Sequence, residues 1–434
     1  MQSERRPLRE LCSLIADCPH STPVWTDAGY IVVRNQNIKS GRLDLSAPSF
    51  TDAEHFAHRT RRAKPTSGDI IFTREAPMGE VCMVPPGLEC CVGQRQVLLR
   101  PNPKVIDGRY LLFALQSPQV QHEIGWSEGT GSTVSNVRIP VLEALRIPTP
   151  PLAMQREVGA ILGALDDRID LLRQTNATLE SIAQALFKGW FVDFDPVRAK
   201  AEGREPEGMD ATTAALFPAE LEEMAIGFAP QGWGSGSLAD LAALNSASWS
   251  ARRAPDEVVY VDLAGVKANV FDPPQRLAFA DAPSRARREL RAGDTLVGTV
   301  RPGNRSYGYI AEAEPGLTGS TGFAVLSPVA AHAAAFVYLC ATRRENIERL
   351  AALADGGAYP AVRPELVQAT PCVLPPPVLM DAFDAVASPL LTSVAANTQR
   401  ARLLVDTRDT LLPRLISGKL RLPEAQEQVE DALA

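Results

Sequence analysis

The sequence predicts an α+β chain built twice on one plan: a mixed α/β lobe followed by a long helix, with the two helices packing as an antiparallel coiled coil. Three observations predict it. First, motifs recur at a nearly fixed offset, the signature of an internal repeat. SGDIIFTREAPMGEV sets Gly68-Asp69 before a short apolar run, and AGDTLVGTVRPGNRS sets Gly293-Asp294 there 225 residues later. GQRQVLLRP ends at Pro101 and STGFAVLSP at Pro328, 227 apart, and Pro150-Pro151 returns as Pro375-Pro376, 225 apart. Second, ILGALDDRIDLLRQTNATLESIAQALFKGW (161–190) carries Leu162, Leu165, Ile169, Leu172, Asn176, Leu179, Ala183, Leu186 and Trp190 at alternating steps of three and four, a narrow seam that needs a partner helix. Third, adding 225 finds that partner, a seam of Ala387, Leu390, Val394, Asn397, Ala401, Leu404, Arg408, Leu411 and Leu415.

In chain order, the first lobe covers 1–151. YIVV (30–33), DIIF (69–72), VCMV (81–84) and QVLLR (96–100) read as strands bounded by Gly and Pro, and 107–124 as a helix. The first long helix covers 152–192, and at about 1.5 Å per residue its 30-residue seam measures roughly 45 Å. An acidic linker follows over 193–232. The second lobe covers 233–376, with strands at TLVGTV (295–300) and GFAVL (322–326) and a helix at 333–353. The second long helix covers 377–418; Pro389 and Pro413 predict continuous helix mainly over 390–412, because an interior proline removes a hydrogen bond and clashes with the preceding turn. A tail occupies 419–434. Two such helices from one chain pack most simply antiparallel, which sets the lobes at opposite ends of a spacer. Asn176 and Asn397 on the seams are candidates for fixing its register.

Composition narrows the function. The net charge is −7, yet Lys plus Arg against Asp plus Glu is 17 to 15 over 1–151 and 14 to 14 over 234–376, against 3 to 9 over 191–233 and 2 to 4 over 419–434. The acid excess sits in the linker and tail, leaving the lobes free to carry basic faces such as HRTRRAK (58–64) and RARRELR (285–291). No apolar run approaches the roughly 20 residues of a bilayer span, and MQSERRPLRE lacks a signal core, so no membrane role and a cytoplasmic location are expected. Seven cysteines lack a CxxC pair. Cys12, Cys18, His20, Cys90 and Cys91 do not have zinc-site spacing, so no metal is expected.

No GxxxxGK[ST] phosphate loop and no GxGxxG turn occurs. FDPPQ (271–275) has Gln275 where an amino-methyltransferase would stack an aromatic residue on a flipped base, and reads better as a turn before a strand. His20 stands without a nucleophile pattern, so no catalytic residue is assigned. Several loops instead suit a polyanion. TVRPGNRSYG (299–308) presents Arg301, Asn304 and Arg305; EGTGSTVSNVR (128–138) offers Ser132, Thr133, Asn136 and Arg138; its counterpart DGGAYPAVR (355–363) offers Tyr359 and Arg363. Arg74, Gln94 and Arg95, with Ser320 and Thr321, flank strands at equivalent turns. Glycine lets backbone approach phosphate, while Arg, Asn, Gln and Ser read base edges.

Over essentially its whole length the chain resembles a specificity subunit of a type I restriction-modification system. The resemblance rests on DCPHSTPVWTDAGYIVVRNQNIKSGRL (17–43), TLESIAQALFKGWFVDFDPV (178–197), PQGWGSGSLADL (230–241), TVRPGNRSYGYI, GSTGFAVLSP (319–328) and LVDTRDTLLPRLISGKL (404–420). It implies two target-recognition domains, each reading half of a bipartite site in double-stranded DNA. It implies paired helices that set the gap and dock two methyltransferase (modification) subunits, which restriction (motor-nuclease) subunits then join. No cofactor binds this chain directly under that reading: S-adenosylmethionine, ATP and Mg belong to the partners. A coiled-coil scaffold that does not read DNA and a freestanding DNA-modifying protein are the alternatives.

Overall fold

The computed structural model describes residues 4–126, 136–224, 227–250, 252–357 and 359–433. It divides into two compact units, Met1–Leu171 with Ala401–Ala434, and Leu172–Arg400. Each unit therefore takes one lobe with part of each long helix.

The first unit contains β1 (Cys12–Asp17), β2 (Tyr30–Val33), β3 (Phe50–Thr51), β4 (Ile70–Thr73), β5 (Val81–Met83), β6 (Cys90–Val92) and β7 (Gln96–Pro101). They form two sheets, β1-β7-β4-β5 and β3-β2-β6. The first is antiparallel throughout, while β2 and β6 run parallel. β4 and β6 read as unbroken apolar runs because both faces are covered: Ile70, Ile71, Phe72, Cys90 and Cys91 are all fully buried. Burying each large side chain here contributes about 2 kcal/mol. Cys18, Cys82 and Cys90 pack in this core beside Val33, Ile71 and Leu98, and burial pushes the Cys90 thiol up to about 12.

The second unit repeats the scheme with β8 (Ala242–Leu244), β9 (Glu257–Val261), β10 (Gln275–Ala278), β11 (Ala286–Glu289), β12 (Thr295–Gly298), β13 (Tyr307–Tyr309), β14 (Leu317–Ser320) and β15 (Phe323–Pro328). These strands form two four-stranded sheets, β8-β15-β12-β13 and β10-β9-β14-β11, with β9 and β14 parallel. Of these eight strands, β11 alone lacks a counterpart among the described strands of the first lobe. The repeated Gly-Asp motif has a structural cause. Gly68 and Gly293 take left-handed φ of +86° and +89°, which favours glycine, and each turn delivers a buried aspartate that accepts a backbone N–H three residues back, Thr66 for Asp69 (2.9 Å) and Arg291 for Asp294 (2.8 Å).

Two expected helices are each broken once, at matching places. The span 107–124 is α1 (Gly108–Gln116), capped by Asp107 accepting the Tyr110 N–H at 2.9 Å, followed by a helix over Pro118–Trp126. Ser117 between them is extended because the residue before a proline is pushed out of the α region.

The long helix α2 spans Leu152–Phe191. In the second lobe, α3 (Ala334–Thr342) and α4 (Arg344–Leu353) are separated by an extended Arg343. The second long helix, α5, spans Pro377–Ile416 without interruption, which corrects the expectation of continuous helix mainly over 390–412. Pro389 is exposed on the outer face, so the Ala385 carbonyl that loses its N–H donor also lies on an exposed residue. α5 is also long and apolar enough to cross a membrane by length and composition, a run that the sequence reading does not anticipate. Part of that apolar surface is a packing face, with Phe383, Ala387, Leu391 and Val394 buried.

Within the second unit, Asn176 of α2 donates to the Val394 carbonyl (3.1 Å) and Thr398 Oγ1 (3.0 Å) of α5, and Asn397 donates back to Asn176 Oδ1 (3.0 Å). Further along, Phe187, Trp190 and Phe191 meet Phe383. Rising numbers on one helix meet falling numbers on the other, so the pair is antiparallel there. Val394 is buried, but Leu179, Leu186 and Leu390 are only half-buried; Phe187 and Leu391 take over because the helices also face the core of the lobe. Within the first unit, Leu162, Leu165, Ile169, Leu404 and Leu411 are buried and Arg408 pairs with Asp166 at 2.7 Å; Leu172, the first residue of the second unit, is buried too. The 193–232 segment is folded rather than a bare linker: it forms helices Asp195–Ala201 and Ala211–Ala215 and a hairpin of Leu221–Met224 with Gly227–Pro230, and buries Phe194, Val197 and Phe217. The tail forms a helix over Leu422–Leu433.

Candidate nucleic-acid interface

Each lobe closes with the same backbone clasp. In the first, the Val137 N–H donates to the Arg74 carbonyl (3.1 Å) and the Arg74 N–H to the Arg95 carbonyl (2.8 Å). In the second, Val362 donates to Thr299 and Thr299 to Gly322, each at 2.9 Å. The clasp gathers the turn after β4 or β12, the turn before β7 or β15, and the segment that leads into a short helix.

In the first lobe this clasp collects Arg74, Gln94, Arg95, Asn136 and Arg138, but not all of them face outward. The Arg74 side chain is 11% exposed; its guanidinium grips Asp17 (2.9 and 3.1 Å), the Val137 carbonyl (2.9 Å) and Asn136 Oδ1 (3.3 Å). Arg74 is thus a fastener, a correction to its reading as a contact residue, since its donors are spent inside the lobe. Gln94 Nε2 is likewise committed, to the His20 carbonyl (2.7 Å) and Thr22 Oγ1 (3.0 Å), leaving its amide oxygen. Asn136 donates to Glu75 Oε1 at 2.6 Å. Arg95 is 57% exposed, holds a left-handed φ of +66°, and pairs with Glu75 at 3.0 Å. Arg138 is exposed and precedes the helix Ile139–Ala144. Ser132 and Thr133 lie outside the described residues.

In the second lobe, Arg301 and Arg305 flank the turn Pro302–Asn304, both left-handed at φ +48° and +61°. Such backbone is uncommon for non-glycine residues and is held here by Arg301 N–H donating to the Pro360 carbonyl (2.7 Å) and Ala268 N–H to the Arg305 carbonyl (2.8 Å). The Arg301 guanidinium lies 4.7 Å over the ring of Tyr359, which is 72% exposed; Arg305 donates to the Tyr307 hydroxyl at 3.1 Å. Asn304, Thr321 and Arg363 are exposed, and Arg363 precedes the helix Pro364–Gln368 as Arg138 precedes its own. Ser320 is a correction: it is 1% exposed and accepts the Gly322 N–H, because it ends β14 facing inward. The structure thus brings Arg301, Asn304, Arg305, Tyr359 and Arg363 onto adjoining loops, an exposed cationic and aromatic group suited to phosphate and base.

The basic stretches also divide. Arg59 of HRTRRAK points inward, 2% exposed, and binds the carbonyls of Val92, Ser21 and Pro19. In RARRELR, Arg285 is exposed beside the Tyr260 hydroxyl, whose hydrogen bond, with Asp262, raises its pKa further. FDPPQ forms the connection into β10. Sequence reasoning missed Asp17 and Glu75, the acceptors that organise the first cluster; an acidic residue beside an arginine gives no signal of what it will bind.

Residues 4–181 match the family model of the type I restriction modification DNA specificity domain. The HindI type I restriction enzyme specificity subunit of Haemophilus influenzae is 24% identical over 402 residues, covering 81% of this chain and 86% of that protein. The MjaIX specificity subunit of Methanocaldococcus jannaschii is 23% identical over 378 residues, covering 82% and 78%. The crystal structure of a type I S subunit from M. genitalium shares the fold, with a TM-score of 0.53 at 16% identity over 95% of each chain. Residues 4–181 thus match the specificity-domain family model, and over most of its length the chain is similar to type I restriction enzyme specificity subunits.

Proposed function

We propose that this chain is the DNA-reading subunit of a type I restriction-modification complex, each lobe reading one half of a bipartite site. The observation that carries the reading is the clasp repeated in both lobes, which presents polar and cationic loops from equivalent positions. Proteins that read separated half-sites use two equivalent modules. The α2 and α5 helices set the gap between the half-sites and dock two methyltransferase subunits, which restriction subunits join. Catalysis, with S-adenosylmethionine, ATP and Mg, belongs to those partners, and the complex works in the cytoplasm. Anisotropy titrations of the assembled complex test this: a duplex carrying the site should bind at least about 1000-fold tighter than a scrambled one. Equal binding would favour a scaffold, and methyl transfer by the purified chain alone would favour a freestanding modifying protein.

A further inference from the structure

The β1–β2 connection of the first lobe is fastened from within at Pro19, His20, Ser21, Thr22, Val24 and Thr26. The buried Arg59 guanidinium donates to the carbonyls of Pro19 (3.2 Å) and Ser21 (2.7 Å), and Gln94 Nε2 to the carbonyl of His20 and the hydroxyl of Thr22. Thr51 Oγ1 donates to the Val24 carbonyl at 2.8 Å, and the Thr26 N–H to the Phe50 carbonyl at 3.1 Å. Yet this fixed loop holds two large apolar side chains out to solvent, Val24 at 51% and Trp25 at 46% exposure. The Arg34 guanidinium lies 5.1 Å from the centre of the Trp25 ring. A rigid loop that displays an indole under a cation gains nothing for the core and is preorganised for a ligand.

The corresponding connection of the second lobe, between β8 and β9, does the opposite. Its tryptophan turns inward, with the Trp249 indole N–H donating to Thr318 Oγ1 at 2.8 Å, and the loop exposes Arg252 and Arg253 instead.

We propose that Val24 and Trp25 form an apolar wedge that contacts the bases or sugars of the DNA half-site read by the first lobe, with Arg34 beside it on a phosphate. This rests on the DNA-reading proposal above and adds to it a specificity-determining residue. A flat apolar face adjoining a guanidinium matches a nucleotide, which offers a π-face and sugar next to an anion. The second lobe reads its half through charge at the same position, so the two halves are recognised by different chemistry.

The test uses the complex assembled with its methyltransferase subunits, a fluorescent duplex carrying the genomic site, and a scrambled duplex of equal length. Trp25→Ala should weaken binding to the site duplex about tenfold or more while leaving the scrambled duplex and the salt slope unchanged. Trp25→Phe should retain most of the affinity, and Arg34→Ala should lower the salt slope by about one. Wild-type affinity of Trp25→Ala for the site duplex would overturn the proposal. Loss of methyltransferase co-elution on Trp25→Ala would also overturn it, making the loop a protein-docking surface. A wild-type complex that binds both duplexes alike would instead sink the DNA-reading proposal itself.

Discussion

Replacing Arg74 with alanine separates a fastener from a DNA contact. The side chain makes four hydrogen bonds, two to the Asp17 carboxylate, one to the Val137 carbonyl and one to Asn136 Oδ1, and it is 11% exposed. Removing one partner of a buried ion pair costs about 3–5 kcal/mol, because the other charge is left uncompensated. Asp17 is 22% exposed, so water recovers part of that, and about 2–3 kcal/mol is the expected loss. For a unit of this size that is roughly 4–12 °C in the first unit's melting temperature. Thermal and urea unfolding of the full chain measure it, alongside anisotropy titrations over a salt series. The clasp predicts lower stability and weaker site binding with an unchanged salt slope, since no phosphate contact is lost. Unaltered stability with a slope reduced by about 0.9 would refute the reasoning and return Arg74 to the list of phosphate contacts.

Other predictions concern the helices, a buried acid and the second lobe. Asn397→Ala leaves the Asn176 amide oxygen without its donor and should cost about 1–2 kcal/mol in urea unfolding, whereas leucine at both positions should recover most of it. Burial pushes the Asp294 carboxyl above the usual aspartate range, against the Ser327 hydroxyl and Arg291 N–H that favour its charge. Below the unfolded-state pKa the acid is neutral in both states and costs nothing; above the folded-state value the fold holds a buried charge. Asp294→Asn should therefore gain stability over wild type as pH rises from about 3 to about 7, and a constant difference would argue against that burial cost. Arg301→Ala with Arg305→Ala should weaken DNA binding and lower the salt slope by about 1–2, and an unchanged slope removes both from the interface.

The duplication was legible because it was written in turn chemistry: Gly-Asp before β4 and β12 recurs since both turns need a left-handed glycine and a buried acceptor. The helix seam was legible from its period over Leu162 to Leu172, but it drifted at Leu186 and Leu390, where Phe187 and Leu391 also serve the lobe's core. Pro389 misled because its effect depends on which face it occupies, and the outer face tolerates it. In the candidate site, residue type marked the right turns without marking direction. Arg74 and Arg59 carry the same chemistry as contact residues, yet each is held inward by a long-range partner, Asp17 and the Val92 carbonyl, that no local pattern announces; Ser320 faces inward at the end of β14 and accepts the Gly322 N–H two residues on.

Mapping methylated bases across the host genome by long-read sequencing, with and without this chain, tests the central claim most directly. The account predicts a bipartite motif, two defined halves around an undefined gap, that disappears when the chain is removed. A continuous motif, or a methylation map indifferent to the chain, would contradict it.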